Sequence, residues 1–132
     1  MTKGYNSERT CVHFMNYHFV WCPKYRRNLI IGDIEKRLKE LIKIKVEQLD
    51  CKIIALETMP DHVHLFIQGK PTISPNILVG QIKGFTSKIL RDEFPSLKSR
   101  LPTLWTRSYF VSTHGHVSND TIKKYIVEQK GI

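Results

Sequence analysis

The side chains best suited to chemistry in this sequence are two imidazoles one residue apart, in His62-Val63-His64, and a phenol four residues ahead of an amide, Tyr125 and Gln129. On an extended strand, residues two apart project from the same face about 6 to 7 Å apart, so His62 and His64 can converge on one ion between them. The tripeptide alone is a weak signal, because two ordinary histidines on an exposed strand look the same. Two neutral nitrogens also leave a metal's coordination open. That is wrong for a sealed structural zinc and right for a site that admits substrate oxygens, which suits Mg²⁺ or Mn²⁺. A third protein ligand should then bring oxygen from nearby. Tyr125 and Gln129 lie about one turn apart on the same side of a helix and present a phenol and an amide oxygen together. Read by itself, this helix carries only a packing tyrosine and a solvated glutamine.

Positioning the imidazoles falls to a hairpin. Cys51 to Met59 and His62 to Gly69 read as strands joined through Pro60-Asp61, a pair suited to the centre of a tight turn. That turn pairs Met59 with His62, Glu57 with His64 and Ala55 with Phe66. Alternation then gathers Ile54, Leu56, Val63, Leu65 and Ile67 on one face, an apolar set for helices to cover, and puts His62, His64, Glu57 and Gln68 on the other. Glu57 is placed to accept the N–H that a metal-bound imidazole turns away from its ion, which would fix the tautomer. A plain surface charge explains Glu57 equally well.

The remaining elements follow from composition and spacing. Cys11 to Cys22 is rich in aromatic and β-branched residues and reads as a strand, with the basic run Lys24 to Asn28 leaving the sheet as a loop. Asp33 is the expected cap of a helix to about Leu49, with Ile34, Leu38, Leu41, Ile42 and Leu49 in one stripe. Ser74 and Pro75 read as N-cap and first residue of a second helix, in which Leu78, Ile82, Phe85 and Ile89 recur at helical spacing until Pro95. Tyr109 to Thr113 forms a short last strand, and Ser118 or Asn119 caps a final helix from about Asp120 to Gln129. This order predicts an α+β, ferredoxin-like (βαββαβ) antiparallel sheet with helices on one face, plus a C-terminal helix carrying the tyrosine. With no repeat or linker in its 132 residues, the chain reads as one domain, 1–132.

Lys and Arg number 21 against 12 Asp and Glu, a net charge of +9, as expected of a protein that works on a polyanion. The bland alternative is a basic surface kept for solubility. Nucleic acid is favoured because the cations cluster beside aromatics and amides, in Trp21-Cys22-Pro23-Lys24-Tyr25-Arg26-Arg27-Asn28 and Trp105-Thr106-Arg107-Ser108-Tyr109. There, cations fix phosphates while rings can stack on unpaired bases. Lys24, Arg26, Arg27 and Arg107 are the leading phosphate contacts. Lys83 and Lys88 on the second helix are secondary ones that a solvated face would also explain, and Lys123 and Lys124 sit beside the phenol. Trp105 suits base stacking or the core equally. Three cysteines with no Cys-x-x-Cys pair indicate neither a disulfide framework nor a zinc knuckle and fit a reducing cytoplasm. The sequence shows no signal core and no membrane-length apolar run.

Met59-Pro60-Asp61-His62-Val63-His64-Leu65, taken with the strand motif Tyr17-His18-Phe19-Val20-Trp21-Cys22-Pro23-Lys24-Tyr25-Arg26-Arg27, resembles the single-tyrosine HUH transposases of small bacterial and archaeal insertion sequences. The resemblance continues through Trp105-Thr106-Arg107-Ser108-Tyr109-Phe110-Val111 to the Tyr125–Gln129 helix, nearly the whole chain in the family's order. It implies His62, His64 and Gln129 as ligands of a divalent metal and Tyr125 as nucleophile. It also implies a homodimer whose tyrosine helix can act in trans. The implied substrate is single-stranded DNA with hairpins at element ends, cut and rejoined through a 5′-phosphotyrosine without ATP. The sequence departs from the family at His114-Gly115-His116, where a smaller or more apolar link is expected; these histidines read as loop residues, not a second metal site. Two rivals remain on the residues alone. One is a non-catalytic single-stranded nucleic-acid-binding module on the same sheet, which His62, His64 and Glu57 on the open face fit poorly. The other is a metal-dependent nuclease that activates water, with Tyr125 structural. A domesticated relative that no longer moves would look the same. If phosphate contacts dominate, affinity for single-stranded DNA falls steeply between low and moderate salt in a fluorescence-anisotropy titration; a nearly flat response would count against nucleic acid.

Overall fold

The computed structural model describes residues 6–8, 11–13 and 15–114. In chain order the elements are β1 (Asn6–Glu8), β2 (Cys11–His13), β3 (Met15–Trp21), α1 (Gly32–Gln48), β4 (Lys52–Met59), β5 (His62–Gly69), α2 (Pro75–Glu93), α3 (Pro95–Arg100) and β6 (Phe110–His114). Strands β3 to β6 form a four-stranded sheet in the order β4-β5-β3-β6, antiparallel at every junction. Since β3 and β4 both pair with β5, the β3-α1-β4 unit is split by the strand that follows it. With α1 and α2 on one face, this is the ferredoxin-like α+β arrangement.

The strand expected over Cys11 to Cys22 is divided. Cys11–His13 pairs with β1 in its own two-stranded ribbon, and Met15–Trp21 alone joins the main sheet. β-propensity runs through both pieces; the pairing partner assigns each to its sheet. The second helix starts as its sequence dictates: Ser74 is the N-cap, its hydroxyl accepts from Ile77 N–H at 3.3 Å, and Pro75 follows. The first helix corrects the expected cap. It begins at Gly32 with Ile31 as N-cap and no side-chain capping bond. Gly32, at φ 57°, takes the chain into the helix through the left-handed region open to glycine. Asp33 and Glu35 lie inside the first turn, where carboxylates favour the helix dipole. Pro95 ends α2 as expected, but it also opens α3, because proline is as well suited to a first helical turn as it is unfit for a helix interior.

The core lies between the sheet and the two long helices. Tyr17, Phe19 and Trp21 of β3 and Val63, Leu65 and Ile67 of β5 meet Leu38, Leu41, Ile42 and Val46 of α1 and Leu78, Val79, Ile82 and Leu90 of α2. On β4 a bulge between Ile53 and Ala55 shifts the register by one residue, so Ile53, not the expected Ile54, packs against this core beside Leu56. Beyond the bulge the expected pairs are the observed ones, Ala55 with Phe66, Glu57 with His64 and Met59 with His62.

Gly69 marks a close approach: a Cβ there would fall 2.6 Å from Cε2 of the Tyr17 ring. That ring is buried in the sheet–helix core, so it has little room to retreat. Gly69→Ala is expected to destabilise the fold by about 1–3 kcal/mol. Gly80→Ala, at a helical position with nothing within 4 Å of the added carbon, should stabilise it by up to about 1 kcal/mol. Urea denaturation of the two variants checks the opposite signs.

Candidate active site

On the face of the sheet opposite the helices, pairing brings residues of four strands into rows. Glu57, His64, Val20 and Phe110 form one row; Ala55, Phe66, His18 and Ser112 form the next. His62 and His64 lie on this face with ring centroids 4.9 Å apart, planes crossed at 73°, and relative exposures of 9% and 3%. The alternation of a period-two strand places both imidazoles here and Val63 between them in the core.

Each of the two rings is braced at Nδ1. His62 Nδ1–H donates to Asp61 Oδ1 at 2.6 Å, a bond to the turn residue beside it. His64 Nδ1 lies 3.1 Å from His18 Nε2, one ring donating and the other accepting. His18 is fully buried, stacks face to face on Phe66 at 4.6 Å, and lies near-parallel to His64 at 5.3 Å. With Nδ1 engaged on both rings, a metal shared by His62 and His64 would be met by Nε2 of each. Glu57 stands directly across from His64 on β4, while the nitrogen contact to that ring comes from His18 on the other neighbouring strand. Among the described residues no group of three or more His, Cys, Asp or Glu side chains is arranged to hold a metal ion, so the pair needs oxygen from elsewhere to complete an ion's shell. Tyr125, Gln129, Lys123 and Lys124 lie outside the described residues.

Asp61 ties this site to the basic loop after β3. Its Oδ2 accepts from Arg26 Nη2 at 3.1 Å. The hydrogen bond from His62, with the charges of His62 and Arg26 behind it, holds the Asp61 carboxyl below its usual pKa. Neither His18 nor Asp61 stood out in the sequence. Asp61 looked fully explained as a turn residue, and the link from His18 to His64 becomes visible only once β3 is paired with β5.

The basic segments are joined by backbone pairing. Pro23 and Trp105 form a bridge, Lys24 N–H donates to Leu104 O at 2.8 Å, and Thr106 N–H to Cys22 O at 3.0 Å. Trp105 is a core residue rather than a stacking platform: it is 5% exposed, its indole N–H donates to Thr86 Oγ1, and it meets Trp21 edge-on. Tyr25, Arg26 and Arg27 are exposed in the loop, and Lys24 lies over the Tyr25 ring at 5.5 Å. Arg107 is exposed along a groove that also borders Gly80, Gly84 and Tyr109. Lys83 and Lys88 belong to α2, so the sheet stands between them and the histidines. The Lys83 ammonium donates to the carbonyls of Thr106, Arg107 and Ser108 at 2.7, 3.4 and 3.3 Å, and burial pushes its pKa below the ordinary lysine value.

A ferredoxin-like sheet that carries a braced histidine pair on its helix-free face gives the structural class; comparison with known proteins gives the family. Residues 11–129 match the family described as IS200-like transposases. The ISDra2 transposase TnpA of Deinococcus radiodurans is 33% identical over 131 residues, 98% of this chain and 91% of that protein. A crystal structure of a Deinococcus radiodurans chain described as a transposase superimposes with a TM-score of 0.78 at 30% identity, covering 94% of this chain and 97% of the other. A REP-associated tyrosine transposase bound to a REP hairpin shares the fold at TM-score 0.59 and 14% identity, over 92% of this chain and 67% of that one. The chain belongs to the IS200-like family of single-tyrosine transposases of small insertion sequences. Its role therefore lies in DNA transposition, with the DNA-cleaving and strand-transferring activity that role entails, and its family generally uses a divalent metal. No helix among the described residues is long and apolar enough to cross a membrane.

Lys83 is spent on the 106–108 segment, so Lys83→Met, which keeps the aliphatic stem, should cost about 1–2 kcal/mol of stability. Amide hydrogen exchange at Thr106 to Ser108 should quicken in the variant while the β5 amides stay protected.

Proposed function

We propose that this chain cleaves and rejoins single-stranded DNA at insertion-sequence ends through a 5′-phosphotyrosine on Tyr125, assisted by Mg²⁺ or Mn²⁺ held by His62, His64 and Gln129. The observation that supports the metal site is the bracing of both imidazoles at Nδ1, so that an ion shared between them would be met by Nε2 of each ring. Ligating histidines are usually fixed this way, by a carboxylate, carbonyl or other acceptor on the far nitrogen. Bound there, the ion supplies positive charge to the scissile phosphate.

The protein's own groups do the rest. If His64 ligates through Nε2 its proton stays on Nδ1 and is donated to His18, which then accepts at Nε2 and keeps its own proton on Nδ1. His62 donates to the Asp61 carboxylate, so one ligand is backed by an anion and the other by a neutral ring. Tyr125 gives its phenolic proton to water, a step that the charges of Lys123 and Lys124 beside it in sequence favour. The phenolate oxygen attacks phosphorus in line, the bond to the 3′ oxygen breaks, and that oxygen leaves as a 3′-OH after taking a proton. A second 3′-OH then attacks the phosphotyrosine, forms the new phosphodiester and releases Tyr125. One phosphodiester replaces another, so no nucleotide hydrolysis is needed.

The substrate is single-stranded DNA with hairpins, a reading supported by the net charge of +9 and by the REP hairpin bound to the related fold. The working unit is a homodimer in which the tyrosine helix serves its own or the partner's histidine pair. Exposed Arg26, Arg27 and Arg107, with the half-buried Lys24, contact phosphates, which positions the strand without reading its sequence. Lys88 is a secondary contact on the far layer.

Incubating the protein with single-stranded DNA from the flanks of its own gene should give a metal-dependent covalent adduct on a denaturing gel, lost in Tyr125→Phe. Cleavage that persists in Tyr125→Phe would mark a hydrolytic nuclease instead, and binding without cleavage a binding module. His18→Phe keeps the stacked ring but not its nitrogen, and should raise the Mn²⁺ concentration needed for half-maximal adduct about 10- to 100-fold.

A further inference from the structure

Asp61 gives one carboxylate oxygen to each of two partners, Oδ1 to His62 and Oδ2 to Arg26. Arg26 reaches it from an unusual backbone. Tyr25 and Arg26 both have positive φ, 61° and 50°, a conformation that disfavours side chains with a Cβ. Two such residues in succession persist only where surrounding contacts hold them. Several do: Lys24 N–H is bonded to Leu104 O, Arg26 N–H to Pro23 O at 2.9 Å, and Ile30 N–H to Pro60 O at 3.0 Å. The last of these fastens the far end of the loop to the hairpin turn that carries Asp61. The loop is thus tied at both ends, and the Arg26 side chain closes onto the turn although it is 61% exposed.

We propose that Arg26 is a positioning residue for the His62 ring, acting through Asp61, so that the DNA-facing loop and the metal-binding hairpin move as one unit. This rests on the metal-site reading above. Without Arg26, a carboxylate that is only partly buried is free to leave His62 for water, and the ring loses the bond that fixes its plane and tautomer. Plain electrostatics predicts the opposite sign. A guanidinium near a dication repels it, and by drawing charge from Asp61 it also weakens the carboxylate's pull on the imidazole N–H; removing it would tighten metal binding. Positioning predicts weaker binding, so the sign of the change decides.

The test is Mn²⁺ titration of the whole chain without DNA, followed by electron paramagnetic resonance of the free ion, with thermal melts to show that each variant is folded. Arg26→Ala should weaken Mn²⁺ binding two- to fivefold, up to the equivalent of about 1 kcal/mol for an exposed ion pair. Arg26→Lys should recover part of that loss, and Asp61→Asn should weaken binding about 10-fold or more. The double variant should bind no worse than Asp61→Asn alone, because Arg26 acts only through that carboxylate. Binding by Arg26→Ala that matches or exceeds wild type overturns the proposal, as does a double variant whose losses multiply. If His62→Ala and His64→Ala bind Mn²⁺ as wild type does, the metal-site reading itself fails and takes this proposal with it. If they lose binding while Arg26→Ala keeps it, only the link falls.

Discussion

Backbone pairing along both edges of β5 is the constraint on which the site depends. β5 runs antiparallel between β4 and β3, and a strand hydrogen-bonded on both sides cannot shift register without breaking two ladders at once. A slip of one residue would turn Val63, Leu65 and Ile67 out of the core and drive His62, His64 and Phe66 into it. The apolar cost of that exchange locks the imidazoles to the helix-free face. The same pairing sets His18 diagonally beside His64, within reach of its ring nitrogen. Core packing on one face thereby fixes geometry on the other.

A second set of contacts organises the periphery. The segments after β3 and before β6 are zipped together at Pro23 and Trp105, and Lys83 inserts its ammonium among three carbonyls of the same region. Trp105 anchors it from below through Thr86. The exposed cations of both segments are therefore mounted on ordered backbone. Their charge divides between the two sides of the sheet: Arg26 reaches the histidine side through Asp61, whereas Lys83 and Lys88 belong to the helical layer.

The parts of the fold legible in the sequence were those whose signals are local. Pro60-Asp61 announces the turn, alternation from there sorts His62 and His64 from Val63 and Leu65, and Ser74-Pro75 marks the start of α2 to the residue. The misses needed information from another element. Nothing in Lys52 to Met59 reveals that Ile54 is extra, because the bulge is defined by the partner strand. Ile31 caps α1 without a polar side chain, which leaves no sequence mark. Thr86 is buried on α2 because Trp105 needs an acceptor. In the site, the two imidazoles could be placed from period alone, but their braces could not. His18 lies far off in sequence, and Asp61 was masked by its evident role in the turn.

The bulge in β4 also bears on how the chain tolerates change in length. It lies between the α1–β4 connection and the stretch from Ala55 to Met59 that faces the histidines. Upstream of it, Ile53 is in phase with the core; downstream, Leu56 is in phase again, one residue late. Loss of Ile54 would convert the irregular ladder into a regular one and leave every pair from Ala55 to the turn unchanged. A single-residue deletion in β4 beyond Ala55 would instead reverse the faces of the residues from Ala55 up to the deletion, because the pairing is counted back from the turn. Among relatives of this chain, insertions and deletions near β4 should therefore collect at or before residue 54 and spare the ten residues from 55 to 64.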